Sequence, residues 1–266
     1  MTDALTRIAA ALERLSPPPP APADPLAHPA YAWADGRLRP IALGALPLEA
    51  LLGIDRQRDA LVANLRRLAA GHAAHDVLLW GVRGSGKSAL AKSAVAAVQA
   101  DAPALALVVA GELAALPALF GALAGVRRPF AVFVDDVGVD APADARALRS
   151  LLEGGAEPRP VNARLIVTAN RRHLQHRDMA ELASAVHGRD AADDQLALAD
   201  RFGLSLGFHA LDQDGFLAIV AGYAAAHGVR FEPADALEWA QRRGSRSGRV
   251  AWQYVVELAG RAGVAI

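Results

Sequence analysis

Eight consecutive residues, Gly81-Val82-Arg83-Gly84-Ser85-Gly86-Lys87-Ser88, constrain this chain more than any other stretch. They fit the pattern G-x-x-x-x-G-K-[ST] without a mismatch. Asp76 to Trp80 in front is an apolar run of strand length, and Ser88 to Val95 behind is rich in helix formers. The order matters physically. Successive backbone N–H groups and a helix N-terminus form an anion cradle where a strand delivers the loop and a helix leaves it. Gly84 and Gly86 let the backbone approach a phosphate with no Cβ in the way. The stretch therefore reads as a phosphate-binding loop, with Gly81, Val82, Arg83, Gly84, Ser85, Gly86, Lys87, Ser88 and Ala89 lining a nucleotide site. Lys87 would reach the β- and γ-phosphates of ATP, and the Ser88 hydroxyl would ligate Mg2+.

A loop of this kind needs an acid to hold the metal. Phe130 to Val134 is an apolar strand followed by Asp135 and Asp136. Asp135 is the candidate Mg2+ holder, and Asp136 the candidate that orients or activates a water. Asp136 is also what a helix N-cap at a strand-to-helix turn would require. Leu165 to Ala169 is another apolar strand, and it ends in Asn170, whose amide would bond a γ-phosphate and the attacking water together. Asn is common at strand ends for local reasons as well. Arg201 before the last strand and Arg249 in the last helix are candidate phosphate contacts; each alone also reads as a solvated surface cation.

From residue 76 onward, strands alternate with helices. The expected strands are 76–80, 104–109, 130–135, 163–168 and 204–208, each short and aliphatic as in parallel sheets buried on both faces. Helices are expected at 56–70, 87–99, 113–124, 141–153 and within 178–200. This alternation implies an α/β fold with helices on both faces of a parallel sheet. After residue 208 the strands stop, and 212–227, 233–243 and 247–261 read as three helices. Before the core, residues 3–16 show helical apolar spacing, and Pro17 to Pro22 reads as a semi-rigid linker. Tyr31, Trp33 and Leu38 imply an extended segment laid over the main body. The expected division is 1–25 for the N-terminal helix and linker, 26–209 for the nucleotide-binding core, and 210–266 for a helical lid.

Composition narrows the setting. The 28 basic and 28 acidic side chains cancel, which gives no global attraction to nucleic acid or to an anionic membrane. The absence of cysteine excludes disulfides, thiolate metal sites and cysteine nucleophiles. Asp3, Arg7, Glu13 and Arg14 interrupt any signal-peptide core, and Glu112 interrupts the one long apolar stretch. The expectation is a cytoplasmic protein without a membrane partner. Arg171, Arg172, His173, His176 and Arg177 form a local basic cluster that reads as a nucleic-acid contact or, more readily given the lack of aromatic stacking partners nearby, as a subunit interface or a solvated loop.

With these motifs in place, the chain resembles the AAA+ ATPases. The likeness lies in the loop at 81–88, the acid strand ending Asp135-Asp136, Asn170 as sensor 1, Arg201 in the arginine-finger box and Arg249 as sensor 2. Leu52-Gly53-Ile54-Asp55-Arg56-Gln57, Thr168-Ala169-Asn170-Arg171-Arg172 and Asp200-Arg201-Phe202-Gly203 further resemble the bacterial branch known as domain of unknown function 815. The resemblance implies a five-stranded P-loop NTPase sheet of order 5-1-4-3-2 with a small all-helical lid. It implies adenine near Gly53 and Ile54, a ring or partial-ring homo-oligomer, and Arg201 acting in trans. It implies an ATPase serving an unidentified protein client or a nucleic acid.

This chain departs from the wider family in two respects. Most members carry Glu where Asp136 stands, so slow turnover is expected. The aromatic pore loop of unfoldases is replaced by Ala110-Gly111-Glu112-Leu113, which speaks against peptide threading. Besides an ATPase, the sequence admits a nucleotide-dependent assembly switch with little turnover. It also admits a small-molecule kinase, against which the helical C-terminal region argues.

Overall fold

Alternate residues of each central strand point to opposite sides of one sheet, and both sides are apolar. Phe130, Val132 and Val134 join one cluster of buried side chains, while Ala131 and Phe133 join the other. Such two-sided burial requires a helical layer on each face. The computed structural model describes residues 22–137, 142–152, 154, 159–170 and 201–266, together with residues 4, 6–8 and 11. Most of the expected N-terminal helix, its Pro-rich linker, the helix expected within 178–200 and the basic cluster at 171–177 lie outside the described residues.

The sheet contains β1 (Ala30–Ala34), β2 (Arg37–Pro40), β3 (Val77–Gly81), β4 (Ala106–Ala110), β5 (Phe130–Val134), β6 (Ala163–Asn170) and β7 (Leu204–Phe208). Their order is β2-β1-β4-β5-β6-β3-β7. Strands β3 to β7 are mutually parallel and lie in the expected sequence, with β3 between β6 and β7. The five-stranded expectation is corrected on the other side. The segment around Tyr31 does not lie over the body but adds to the sheet, β1 pairing in parallel with β4 and β2 closing the edge as an antiparallel hairpin. The physical reason is the open edge of β4, which would otherwise leave a row of backbone groups without partners. Buried Arg128 pins this addition, its Nε donating to Ala104 O at 2.7 Å and its Nη1 to Pro25 O at 2.8 Å.

Helices α1 (Asp55–Ala69) and α2 (Lys87–Asp101) cover one face through Leu61, Leu65, Leu90 and Val95. Helices α3 (Leu116–Leu123) and α4 (Pro142–Leu152) cover the other, through Leu116, Leu119 and Leu148. A 3₁₀ turn at Leu113–Ala115 precedes α3, so that helix begins later than its apolar run. Helices α5 (Gln213–Ala226), α6 (Pro233–Arg242) and α7 (Gly248–Arg261) surround a third apolar cluster built on Phe216, Val220, Tyr254 and Val255. Side-chain caps start two of them, Asp212 accepting from Gly215 N and Ser247 from Val250 N. No helix among the described residues is long and apolar enough to cross a membrane.

The amino ends of the central strands are tied by polar contacts. Asp76 receives both guanidinium nitrogens of Arg159, at 2.5 and 2.8 Å, and the amide of Leu165 at 2.8 Å. This clamp fixes the register of β3 against β6 from below, so that their carboxyl ends meet at a set height. Asp76→Ala removes a bidentate pair and strands a half-buried guanidinium. It is expected to lower unfolding stability by about 2–3 kcal/mol in urea denaturation.

Candidate functional site

The carboxyl ends of β3, β5 and β6 converge on one cavity. In an open parallel sheet the connections diverge at such a point, leaving a crevice into which loop residues project. The cavity has a volume of about 450 Å³ and lies between the sheet and helices α5 and α7. Its lining includes Gly53, Ile54, all of Val82 to Ala89, Asp135, Asp136, Asn170 and Arg249. Gly81 sits just beneath, paired with Asn170 on one side and Phe208 on the other.

Gly81 has φ +135°, and a Cβ there would fall on the carbonyl oxygen of Phe208. Only glycine fits. The next residue, Val82, donates its N–H to that same oxygen at 3.0 Å, and the chain turns away from the sheet. Ser85 Oγ donates back to Val82 O at 2.7 Å and closes the loop. Gly86, in the left-handed region, caps α2, whose first residue is Lys87. The helix axis therefore delivers its positive end into the cavity.

Lys87 is buried, and its Nζ donates to Gly81 O at 3.0 Å, Val82 O at 2.8 Å and Asn170 Oδ1 at 3.3 Å. Burial pushes the Lys87 ammonium below the usual lysine value; nearby Asp136 and Asp135 act the other way, and Arg249 reinforces the lowering. Ser88 Oγ donates to Asp135 Oδ1 at 2.6 Å. Asn170 Nδ2 donates to Asp136 Oδ1. Asp136 itself adopts φ +53°, which turns it out of the strand direction.

Hydroxyl and carboxylate oxygens at the mouth of an N–H-rich loop are hard-donor chemistry. They fit Mg2+ carried in with phosphate oxygens, because Mg2+ takes few protein ligands and keeps several waters. Ser88 and Asp135 are the two residues that would hold it. The other end of the cavity is apolar and aromatic, with Leu51, Leu52, Ile54, Leu211, Ile219, Tyr223 and Trp252. That is a surface suited to a flat ring rather than to a charge, and Gly53 and Ile54 line the same cavity. Trp80 is not in this lining. Its indole donates to Ser205 Oγ at 3.0 Å and packs under Gly207.

Arg201 stands elsewhere. It lies before β7, at the opposite ends of the strands from the loop, and lines a second hollow with Asp76, Arg159 and Arg164. The chain's own cavity is thus built without it. Three contributors were not singled out from sequence. Thr168 hydrogen-bonds both acids and is buried. Gln57 Nε2 donates to Gly207 O at 2.7 Å and ties α1 to β7 beside the cavity. Ser247 packs against Gly84 from the helical side. A polar residue inside the apolar run Leu165 to Ala169 was the available signal for Thr168.

A family model matches residues 26–262, nearly the whole chain, under the description "Protein of unknown function (DUF815)". The chain belongs to this family. Solved structures of similar fold include an ORC protein and a RuvB motor. The Aeropyrum pernix ORC1 protein in complex with DNA matches with a TM-score of 0.56 at 15% identity, over 82% of this chain and 63% of that one. The Thermotoga maritima RuvB Holliday junction branch migration motor matches with a TM-score of 0.52 at 17% identity, over 82% of this chain and 66% of that one. The chain thus spans less than two thirds of the length of these structures, and at such identities the likeness is one of fold. A search of curated proteins found no match.

The lowered Lys87 value has a measurable sign. Folded, Lys87 binds its proton less tightly than at the ordinary 10.5. The unfolded chain therefore carries more protons in the window below that value, and stability gains from rising pH there. In nucleotide-free buffer, the stability of the wild type relative to Lys87→Met is expected to climb as pH rises toward 10.5. A flat difference would show that burial does not dominate at this lysine.

Proposed function

We propose that this DUF815 chain binds ATP with Mg2+ in the cavity above the loop and hydrolyses it to ADP and phosphate at a subunit interface, driving the remodelling or loading of a macromolecular partner. One observation carries the reading. Lys87, Ser88, Asp135, Asp136 and Asn170 come from α2, from β6 and from the chain after β5, yet form one hydrogen-bonded set over the loop. Structural needs alone would not gather a buried lysine, two carboxylates and an amide around an open cavity.

In this reading the loop N–H groups and the α2 N-terminus hold the phosphates. Lys87 exchanges its carbonyl partners for β- and γ-phosphate oxygens, a stronger bond for a buried cation. Bound Mg2+ would neutralise charge developing on the phosphoryl oxygens. Asp136, oriented by Asn170, accepts a proton from the attacking water. Arg249, on the helical side of the same cavity, stabilises the spread charge. Arg201 lies at the wrong end of the strands for its own site, so its contact with a γ-phosphate comes from a neighbouring copy. The RuvB and ORC1 likenesses make DNA one candidate partner and an unidentified protein client the other.

A second reading, an assembly switch with little turnover, is favoured by Asp136. Its side chain is short and already engaged by Asn170.

Phosphate release measured against protein concentration separates the two readings. A rate per subunit that rises with concentration is the expected result for a shared site; none at any concentration leaves the switch. Lys87→Ala is expected to weaken ATP binding at least ~100-fold by equilibrium titration. Asp136→Asn should keep binding while turnover falls by about 10²–10⁴. Arg201→Ala should lose turnover alone and regain part of it when mixed with Lys87→Ala, which supplies an intact Arg201. A dead mixture counts against action in trans.

A further inference from the structure

Asp135 and Asp136 sit just past the end of β5, where the strand ladder no longer holds the chain. What holds it there is one residue of the neighbouring strand. The register that pairs Phe133 with Ile166 and Val134 with Val167 brings Thr168 abreast of Asp135. The Thr168 hydroxyl donates to Asp135 Oδ1 at 2.6 Å and accepts the Asp136 N–H at 2.7 Å. The Thr168 carbonyl accepts the Val137 N–H at 2.9 Å. Three successive residues are therefore anchored to one.

We propose that Thr168 is a positioning residue that sets the metal-holding acid and the water-orienting acid at once. The proposal rests on the cavity being a Mg2+–nucleotide site.

The chemistry follows from the inventory of the hydroxyl, which has one proton to give and lone pairs to receive. Its proton goes to the same Asp135 oxygen that receives Ser88, at 2.6 Å in each case. Two O–H donors on one oxygen fix the carboxylate's rotation and direct the other oxygen to the metal or to a water on it. Accepting the Asp136 N–H stabilises the left-handed backbone, φ +53°, that swings the Asp136 carboxylate to Asn170. Thr168 as a residue is only 2% exposed, so few waters could take the place of its hydroxyl. Valine has the same shape without the proton or the acceptor. It would leave the Asp136 N–H without its acceptor and free the Asp135 carboxylate to rotate.

The test is binding of a fluorescent ATP analogue to the full chain, titrated with Mg2+, for wild type, Thr168→Val, Thr168→Ala and Thr168→Ser. Thr168→Val is expected to keep the metal-free affinity and to need about 10–100-fold more Mg2+ for the same tightening, the usual cost of losing an outer-shell partner. Thr168→Ser, which keeps the hydroxyl, should stay near wild type. If Thr168→Val does not fold, the Ser and Ala variants make the same comparison. A wild-type Mg2+ midpoint in the hydroxyl-free variants overturns the proposal. So does a loss shared equally by Thr168→Ser, or an equal loss of affinity with and without metal, since either would assign Thr168 to packing. A wild type whose nucleotide binding ignores Mg2+ overturns the reading of the cavity itself and the proposal with it. If the wild type responds to Mg2+ and the variants match it, only the proposal fails.

Discussion

The carbonyl oxygen of Phe208 lies where a side chain at residue 81 would have to be, and the loop from Gly81 to Ser88 takes its shape from that encounter. Since only a backbone without Cβ passes there, β3 and β7 can end at the same level, and Val82 can turn out of the sheet by bonding that same oxygen. Every later contact depends on this turn. It brings Ser85 back over Val82, starts α2 at Lys87, and points the lysine at the carbonyls it has just left. The clamp of Asp76 by Arg159 at the other end of β3 sets the level from which the strand reaches this point.

Electrostatics at the cavity are unbalanced in a way that favours an anion. Lys87 is buried deeply enough that desolvation outweighs the two nearby carboxylates, and Arg249 adds a second cation on the far wall. The acids are engaged by other partners, one by Ser88 and Thr168, the other by Asn170. A buried ammonium held by neutral carbonyls has a weak set of partners. In the proposed reading, a polyphosphate would supply the missing charge without displacing any carboxylate.

Much of this was legible in the residues because the elements that carry it have strong local signatures. Strands buried on both faces must be aliphatic, and β3 to β7 fell within a few residues of their apolar runs. Loop chemistry is written in glycines at fixed offsets, so Gly81 to Ser88 could be placed before any coordinates. What was not legible depended on pairing across long sequence distance. Tyr31 and Leu38 carry no mark saying that they extend the sheet beside β4 rather than cover it; that depends on the open edge of a strand some seventy residues on. Thr168 is hidden for a related reason. A threonine in a strand is ordinary, and its value appears only when β5 and β6 come into register. Arg201 shows the converse. The sequence offered it as a candidate phosphate contact, but its place at the opposite ends of the strands, away from the chain's own cavity, is a property of the fold.

The seating of α7 on the loop has a mechanical consequence. The amide of Arg249 donates to the carbonyl of Gly84 at 3.3 Å, and Ser247 lies against Gly84 where any added carbon would crowd it. The three C-terminal helices therefore rest on the crown of the loop like a stylus on a groove. A tilt that raises α7 must break that bond, and a shift of the Gly84 peptide must push the helix, so displacement on either side is transmitted to the other without an intervening hinge.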